Sequence, residues 1–183
     1  MLRTELVRAG QLRVIGVTGQ REGTVEIAPA LSEIWGKSPL WVHVAASWCL
    51  PCLWELKPFF QAAAQLQGRQ IEVVLAITDS DGDAEVGLKR LLRKYAEVML
   101  TEAPAVPSNL RVVSDEDFSL SKITEALQGA DASGLRQQGI PLSLVFDRCG
   151  GLRMWVQNRH DSKSLGEISE LLGALKTRAQ PCP

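Results

Sequence analysis

A layered α/β domain is the fold class this chain predicts, and three observations carry the expectation. Short apolar runs rich in branched residues recur at Leu40–Ala46, Ile71–Ile77, Leu110–Val113 and Leu142–Phe146. Longer helix-compatible stretches are interleaved at Leu53–Leu66, Ala84–Val98 and Ser162–Thr177. Strands that alternate with helices argue for helices layered on a sheet. The chain has 183 residues, enough for one domain with a hydrophobic core.

Taken in order, Leu12–Thr18 reads as a short strand, Gln20–Gly23 as a turn and Thr24–Ile27 as a returning strand, which makes an N-terminal β-hairpin. Ala30–Trp35 reads as a short helix ended by Gly36. Leu40–Ala46 is apolar at nearly every position, the pattern of a strand covered on both faces. A helix over Leu53–Leu66 closes near Gly68, and Ile71–Ile77 is a second central strand. The acidic loop Asp79–Asp83 offers a cap to the helix Ala84–Val98. Thr101–Asn109, with Pro104 and Pro107, is a connector into the short strand Leu110–Val113. Phe118–Leu127 reads as helix and Gly129–Gly139 as an irregular approach to Pro141. Leu142–Phe146 and Leu152–Val156 form a hairpin across Asp147–Gly151. An amphipathic helix over Ser162–Thr177, capped by Asp161 or Ser162, ends the series. The expected domain spans residues 1–183, with a core of about 12–177 and a tail at 178–183.

Composition narrows the function. Hydrophobic residues make up 45 % and the formal net charge is −1, which argues against disorder and against nucleic acid as a partner. The most apolar region, around Leu40–Trp54, is interrupted by Pro51 and is too short to cross a membrane. Met1–Glu5 shows no signal-peptide core, so the chain reads either as cytosolic or as a mature domain whose leader has been removed. The basic cluster Lys89–Lys94 reads as a solvated helix face.

The chemistry is concentrated in Cys49-Leu50-Pro51-Cys52. Two cysteines three positions apart, placed where a buried strand gives way to a helix, put both sulfurs on one face within reach of a disulfide. The unpaired N–H groups and dipole of a helix start favour a thiolate at Cys49. Such settings lower a cysteine pKa from about 8.5 to as low as ~3.5–7.5. Pro51 suits an early helical position because it has no N–H to leave unpaired. The alternative is half of a zinc site, but a second ligand pair is missing: Cys149 and Cys182 stand alone, and His43 and His160 are far apart in sequence. Cys149 and Cys182 are open between a second disulfide, which would tie the tail to the sheet, and two unrelated thiols, the preferred reading.

Ala46-Ser47-Trp48-Cys49-Leu50-Pro51-Cys52-Leu53-Trp54-Glu55 resembles the active site of thioredoxin-fold thiol–disulfide oxidoreductases, above all the TlpA- or ResA-like branch. Gly139-Ile140-Pro141, with the strand and Gly150-Gly151 turn that follow, resembles the same family's cis-proline loop. The resemblance spans about Leu12 to Thr177. It implies a three-layer thioredoxin-like fold, a central mixed β-sheet flanked by helices, with the N-terminal hairpin as an extension.

The resemblance also implies roles. Cys49 is the nucleophile and Cys52 the resolving cysteine of a cycle that reduces protein disulfides. Trp48, Leu50, Pro51, Ile140 and Pro141 shape the substrate groove, with the Ile140–Pro141 bond cis. Glu55, three residues after Cys52, is either a modulator of the thiols or a solvated helix-start residue. His43, six residues before Cys49, stands where relatives carry Asp or Asn; it is either a proton carrier for Cys52 or a buried neutral imidazole. Two departures concern bulk and backbone: Ala45 replaces an aromatic residue, and Pro58 lies one position later than the family's helix proline. The implied partners are protein disulfide or dithiol substrates and a thiol electron donor, membrane-bound or soluble. No cofactor or resident metal is implied, and the implied location is extracytoplasmic, periplasmic or membrane-facing. The competing reading is a soft-metal module, a copper chaperone holding Cu(I) between Cys49 and Cys52. A redox-inert binding domain is a third reading, disfavoured by the intact cysteine pair.

Overall fold

The computed structural model describes residues 3–7, 11–15, 22–26, 34, 37–115, 139–157 and 162–177. Three strands, β1 (Arg3–Val7), β2 (Gln11–Ile15) and β3 (Glu22–Glu26), pair antiparallel in the order β1-β2-β3. The expected hairpin is thus β2–β3, and β1 joins it as a third strand.

The main sheet is built from β4 (Leu40–Ala45), β5 (Glu72–Ile77), β6 (Leu110–Ser114), β7 (Leu142–Phe146) and β8 (Leu152–Gln157). Its order is β6-β5-β4-β7-β8. β4, β5 and β6 run parallel, whereas β7 is antiparallel to β4 and β8 to β7. The sheet is therefore mixed and open, and it is flanked by helices α1 (Leu50–Gln65), α2 (Ala84–Met99) and α3 (Ser162–Thr177). Every residue of β4 and of β7 is buried, as expected of strands covered on both faces.

The helices dock by stripes at helical spacing. In α1, Leu53, Leu56, Phe60 and Ala63 recur at i, i+3, i+7 and i+10, all buried. In α2, Gly87, Leu91 and Tyr95 recur every four residues. In α3, Leu165, Ile168 and Leu172 face the core. Each large side chain buried this way contributes about 1.5–3 kcal/mol relative to exposure.

Three local differences from the sequence reading have clear causes. β4 stops at Ala45 because Ala46 already opens a turn, its carbonyl accepting the Cys49 N–H at 3.2 Å. α1 begins at Leu50 rather than Leu53, because Cys49 acts as its N-cap and Pro51 fits the first turn. Asp83 caps α2, accepting the N–H groups of Glu85 at 2.8 Å and Val86 at 3.2 Å. The helices expected at Phe118–Leu127 and at Ala30–Trp35 lie outside the described residues, except that Ile34 stands in a turn and is buried.

Candidate active site

The site forms where the C-terminal end of β4 meets the N-terminal end of β7. The register pairs Val44 with Leu142, so Pro141 stands at the sheet end from which the cysteine loop emerges. Both cysteines belong to the start of α1. Cys49 has extended backbone (φ −88°, ψ 100°), and its Sγ accepts the Cys52 N–H at 3.2 Å, the bond a capping oxygen would normally take. Cys49 and Cys52 are joined in a disulfide with Cα atoms 5.2 Å apart.

The two sulfurs differ in access. Cys49 retains 5 % of its surface and Cys52 none. Three large apolar side chains stand out around them: Trp48 at 62 %, Leu50 at 43 % and Trp54 at 57 % exposure. Pro51 is exposed beside them. The opposite wall is the Ile140–Pro141 peptide, which is cis, with both residues buried. The Ile140 carbonyl oxygen lies 3.5 Å from Cys49 Sγ, so a reduced Cys49 has an acceptor at hand.

His43 sits inside β4, fully buried, its ring stacked on Phe59 with centroids 4.3 Å apart. Its Nδ1 is 3.0 Å from Ser143 Oγ, directly across the β4–β7 pair. The Trp41 indole N–H donates to the same Oγ at 3.0 Å. Ser143 Oγ has one proton and two lone pairs, so it accepts from the indole and either donates to or accepts from His43 Nδ1 according to the imidazole tautomer. Glu55 is buried on α1, retaining 7 % of its surface, and is therefore not the solvated helix-start residue that was one of its two readings.

Sequence reasoning missed Ser143 and Asp79. A lone serine inside the apolar run Leu-Ser-Leu-Val-Phe was the available signal for the first. No local pattern signals the second, whose carboxylate bonds Ser47, 32 positions away.

Elsewhere, Cys149 is disulfide-bonded, which corrects the reading of unrelated thiols; Cys182 lies outside the described residues. The basic cluster on α2 is matched by acids: Lys89 with Glu85 at 2.6 Å, Lys94 with Glu97 at 3.2 Å, and Arg90 with Asp81. Among the described residues no group of three or more His, Cys, Asp or Glu side chains could hold a metal ion. Among them, too, no helix is long and apolar enough to cross a membrane.

A cysteine pair at a helix start, opposite a cis-proline at the end of a mixed sheet, is the arrangement of a thioredoxin-like fold. Comparison with solved structures shows that fold for this chain. A Chlorobium tepidum protein assigned as the thiol:disulfide interchange protein DsbE superposes with a TM-score of 0.54 at 21 % identity, over 94 % of this chain and 97 % of that one. A thioredoxin family protein of Chlorobium tepidum TLS gives 0.49 at 16 % identity, over 90 % and 94 %. The exposed lipoprotein thioredoxin Etrx1 of Streptococcus pneumoniae gives 0.48 at 20 % identity, over 88 % and 98 %. No protein-family model and no curated protein matches the chain.

Proposed function

We propose that the protein is a thiol–disulfide oxidoreductase that reduces protein disulfides, of the TlpA- or ResA-like kind. The observation that carries this reading is the Cys49–Cys52 disulfide, seated on a helix start with Cys49 the less buried of the two and the Ile140 carbonyl beside its sulfur. The cycle begins with the reduced pair. The Cys49 thiolate attacks one sulfur of a substrate disulfide, forming a mixed disulfide and expelling the other substrate sulfur as thiolate. Cys52 loses its proton and attacks Cys49 Sγ. The second substrate sulfur leaves and takes up a proton. Two electrons have passed to the substrate, and the protein is left with the Cys49–Cys52 bond. A thiol donor, membrane-bound or soluble, reverses these steps to reload it.

In this reading Trp48, Leu50 and Pro51 form one lip of the substrate groove, and Ile140 and Pro141 the other. Extended substrate backbone lies along the second lip by strand addition. Glu55 and His43 serve the proton step at Cys52. Ser143 Oγ can donate to or accept from His43 Nδ1, so rotation of that hydroxyl accommodates either imidazole tautomer during proton transfer. In this reading the protein works outside the cytoplasm, in an oxidising compartment where a disulfide at Cys149 would persist.

The deciding measurement is the reduction potential of the Cys49–Cys52 couple. A value near about −270 mV fits a reductase; one near about −120 mV would reverse the direction of transfer. Stoichiometric Cu(I) retention with no insulin reduction would replace the enzyme reading with the copper-binding one. His43→Ala is expected to shift the pH–rate profile of the resolving step, and an unchanged profile removes His43 from the mechanism.

A further inference from the structure

The turn that delivers Cys49 is held from outside. Ala46-Ser47-Trp48-Cys49 closes on one internal bond, the Cys49 N–H to the Ala46 carbonyl at 3.2 Å. The Ser47 N–H is not used by that turn. It donates instead to the Asp79 carboxylate, 3.1 Å from Oδ1 and 3.2 Å from Oδ2. The Ser47 hydroxyl donates to Oδ2 as well. One carboxylate thus takes both donors of the residue two positions before the nucleophile.

Asp79 belongs to the loop after β5, and that loop is fixed in turn. Arg90 of α2 donates to the Asp79 carbonyl at 2.5 Å and pairs with the Asp81 carboxylate. Ser80 is fully buried, with its hydroxyl 2.5 Å from that of Ser114 on β6. The Asp115 N–H reaches back to the Ile77 carbonyl at 2.9 Å. α2 lies against the loop at Gly87, where a Cβ would come 2.7 Å from Ser80 Cβ and 3.0 Å from its Cα. Loop, helix and two strands therefore form one platform, and Asp79 is its point of contact with the cysteine turn.

We propose that Asp79 is a positioning residue for Cys49, acting through Ser47. The thiolate of Cys49 is stabilised by the Cys52 N–H only while Cys49 keeps its N-cap backbone. Asp79 keeps it there by pinning the turn. Released from Asp79, the turn frays, Cys49 leaves the cap position and its thiol becomes harder to ionise. The negative charge of Asp79 acts in the opposite sense, because a nearby anion disfavours a thiolate. The sign of the change on removal therefore separates positioning from simple charge.

The consequence for exchange rests on the redox reading, but the test does not. The full chain is reduced, and alkylation of the Cys49 peptide by iodoacetamide is followed by mass across pH. The unaltered protein is compared with Asp79→Ala, Asp79→Asn, Ser47→Ala and the Ser47→Ala/Asp79→Ala pair. Asp79→Ala is expected to raise the midpoint of the profile by at least ~0.5 pH unit, a fall of about threefold in rate on its acidic side. Asp79→Asn, which keeps an acceptor, and Ser47→Ala, which keeps the N–H, should each shift it less. The double variant should match Asp79→Ala alone, because both act through one link. A lowered or unchanged midpoint, or additive effects, overturns the proposal. If Asp79→Ala fails to fold, upward shifts in Asp79→Asn and Ser47→Ala support the proposal, and the absence of both overturns it. If the unaltered protein cannot reduce a disulfide, the proposed function fails while the alkylation profile still decides the role of Asp79.

Discussion

Two turns of this protein present a disulfide-bonded cysteine, and each is organised by a single aspartate. At Asp147–Gly151 the aspartate is the turn's own: Asp147 accepts the N–H groups of Cys149 at 2.9 Å and Gly151 at 2.8 Å. Arg153, two residues further on, closes the arrangement at 2.5 Å. At Ala46–Cys49 the aspartate comes from another strand's loop, and Asp79 is itself fixed by α2. The hydrogen bonds of the first turn come from its own aspartate. The second takes its shape from the loop after β5, so changes in that loop and in α2 can reach Cys49.

The largest expected effect separates the two cysteines. Cys49→Ser should lower insulin reduction by at least ~10³-fold, whereas Cys149→Ser should leave it within about twofold and lower the melting temperature instead. Loss of reduction in both would break the comparison. Asp147→Ala comes next. It removes the acceptor of two part-buried N–H groups and the partner of the exposed Arg153, and it should cost about 1–3 kcal/mol in denaturant unfolding with the Cys49 alkylation profile unmoved. Gly87→Ala should cost about 1–3 kcal/mol, because the new methyl meets backbone as well as side chain of Ser80. Unlike Asp147→Ala, it should also raise the Cys49 midpoint; an unmoved midpoint would mean that the platform does not transmit displacement.

The smallest effect concerns Asp81. The hydrogen bond and charge of Arg90 hold its carboxyl below the ordinary range. A depressed folded-state pKa stabilises above the ordinary carboxylate value, and that contribution disappears as pH falls through the lowered one. Asp81→Asn should therefore melt slightly lower than the unaltered protein at neutral pH. The gap should close in strong acid and shrink with salt. A gap that widens in acid would contradict the pairing.

The succession of elements along the chain and the site's outline were legible because they depend on local signals. Apolar runs marked β4, β5 and β7, and the Cys-x-x-Cys spacing with Pro51 marked the helix start. What stayed hidden depends on distance in sequence. Asp79 read as part of a capping loop, yet Asp83 does the capping and Asp79 bonds Ser47. Glu55 read as either solvated or site-directed, and only the packing of α1 buries it. β1 escaped because Arg-Thr-Glu-Leu-Val is too polar at one end to read as a strand without a partner.

The opposed directions of β4 and β7 have a consequence for how the protein can vary. One strand leaves the sheet where the other enters it, so Cys49 and Ile140, 91 positions apart, are neighbours by register rather than by the path between them. The intervening chain is free to be lengthened, trimmed or exchanged within the Thr101–Asn109 connector without moving sulfur from carbonyl. A second domain or an affinity tag spliced there should leave the chemistry intact, which makes the connector the natural place to graft new specificity onto an unchanged reaction.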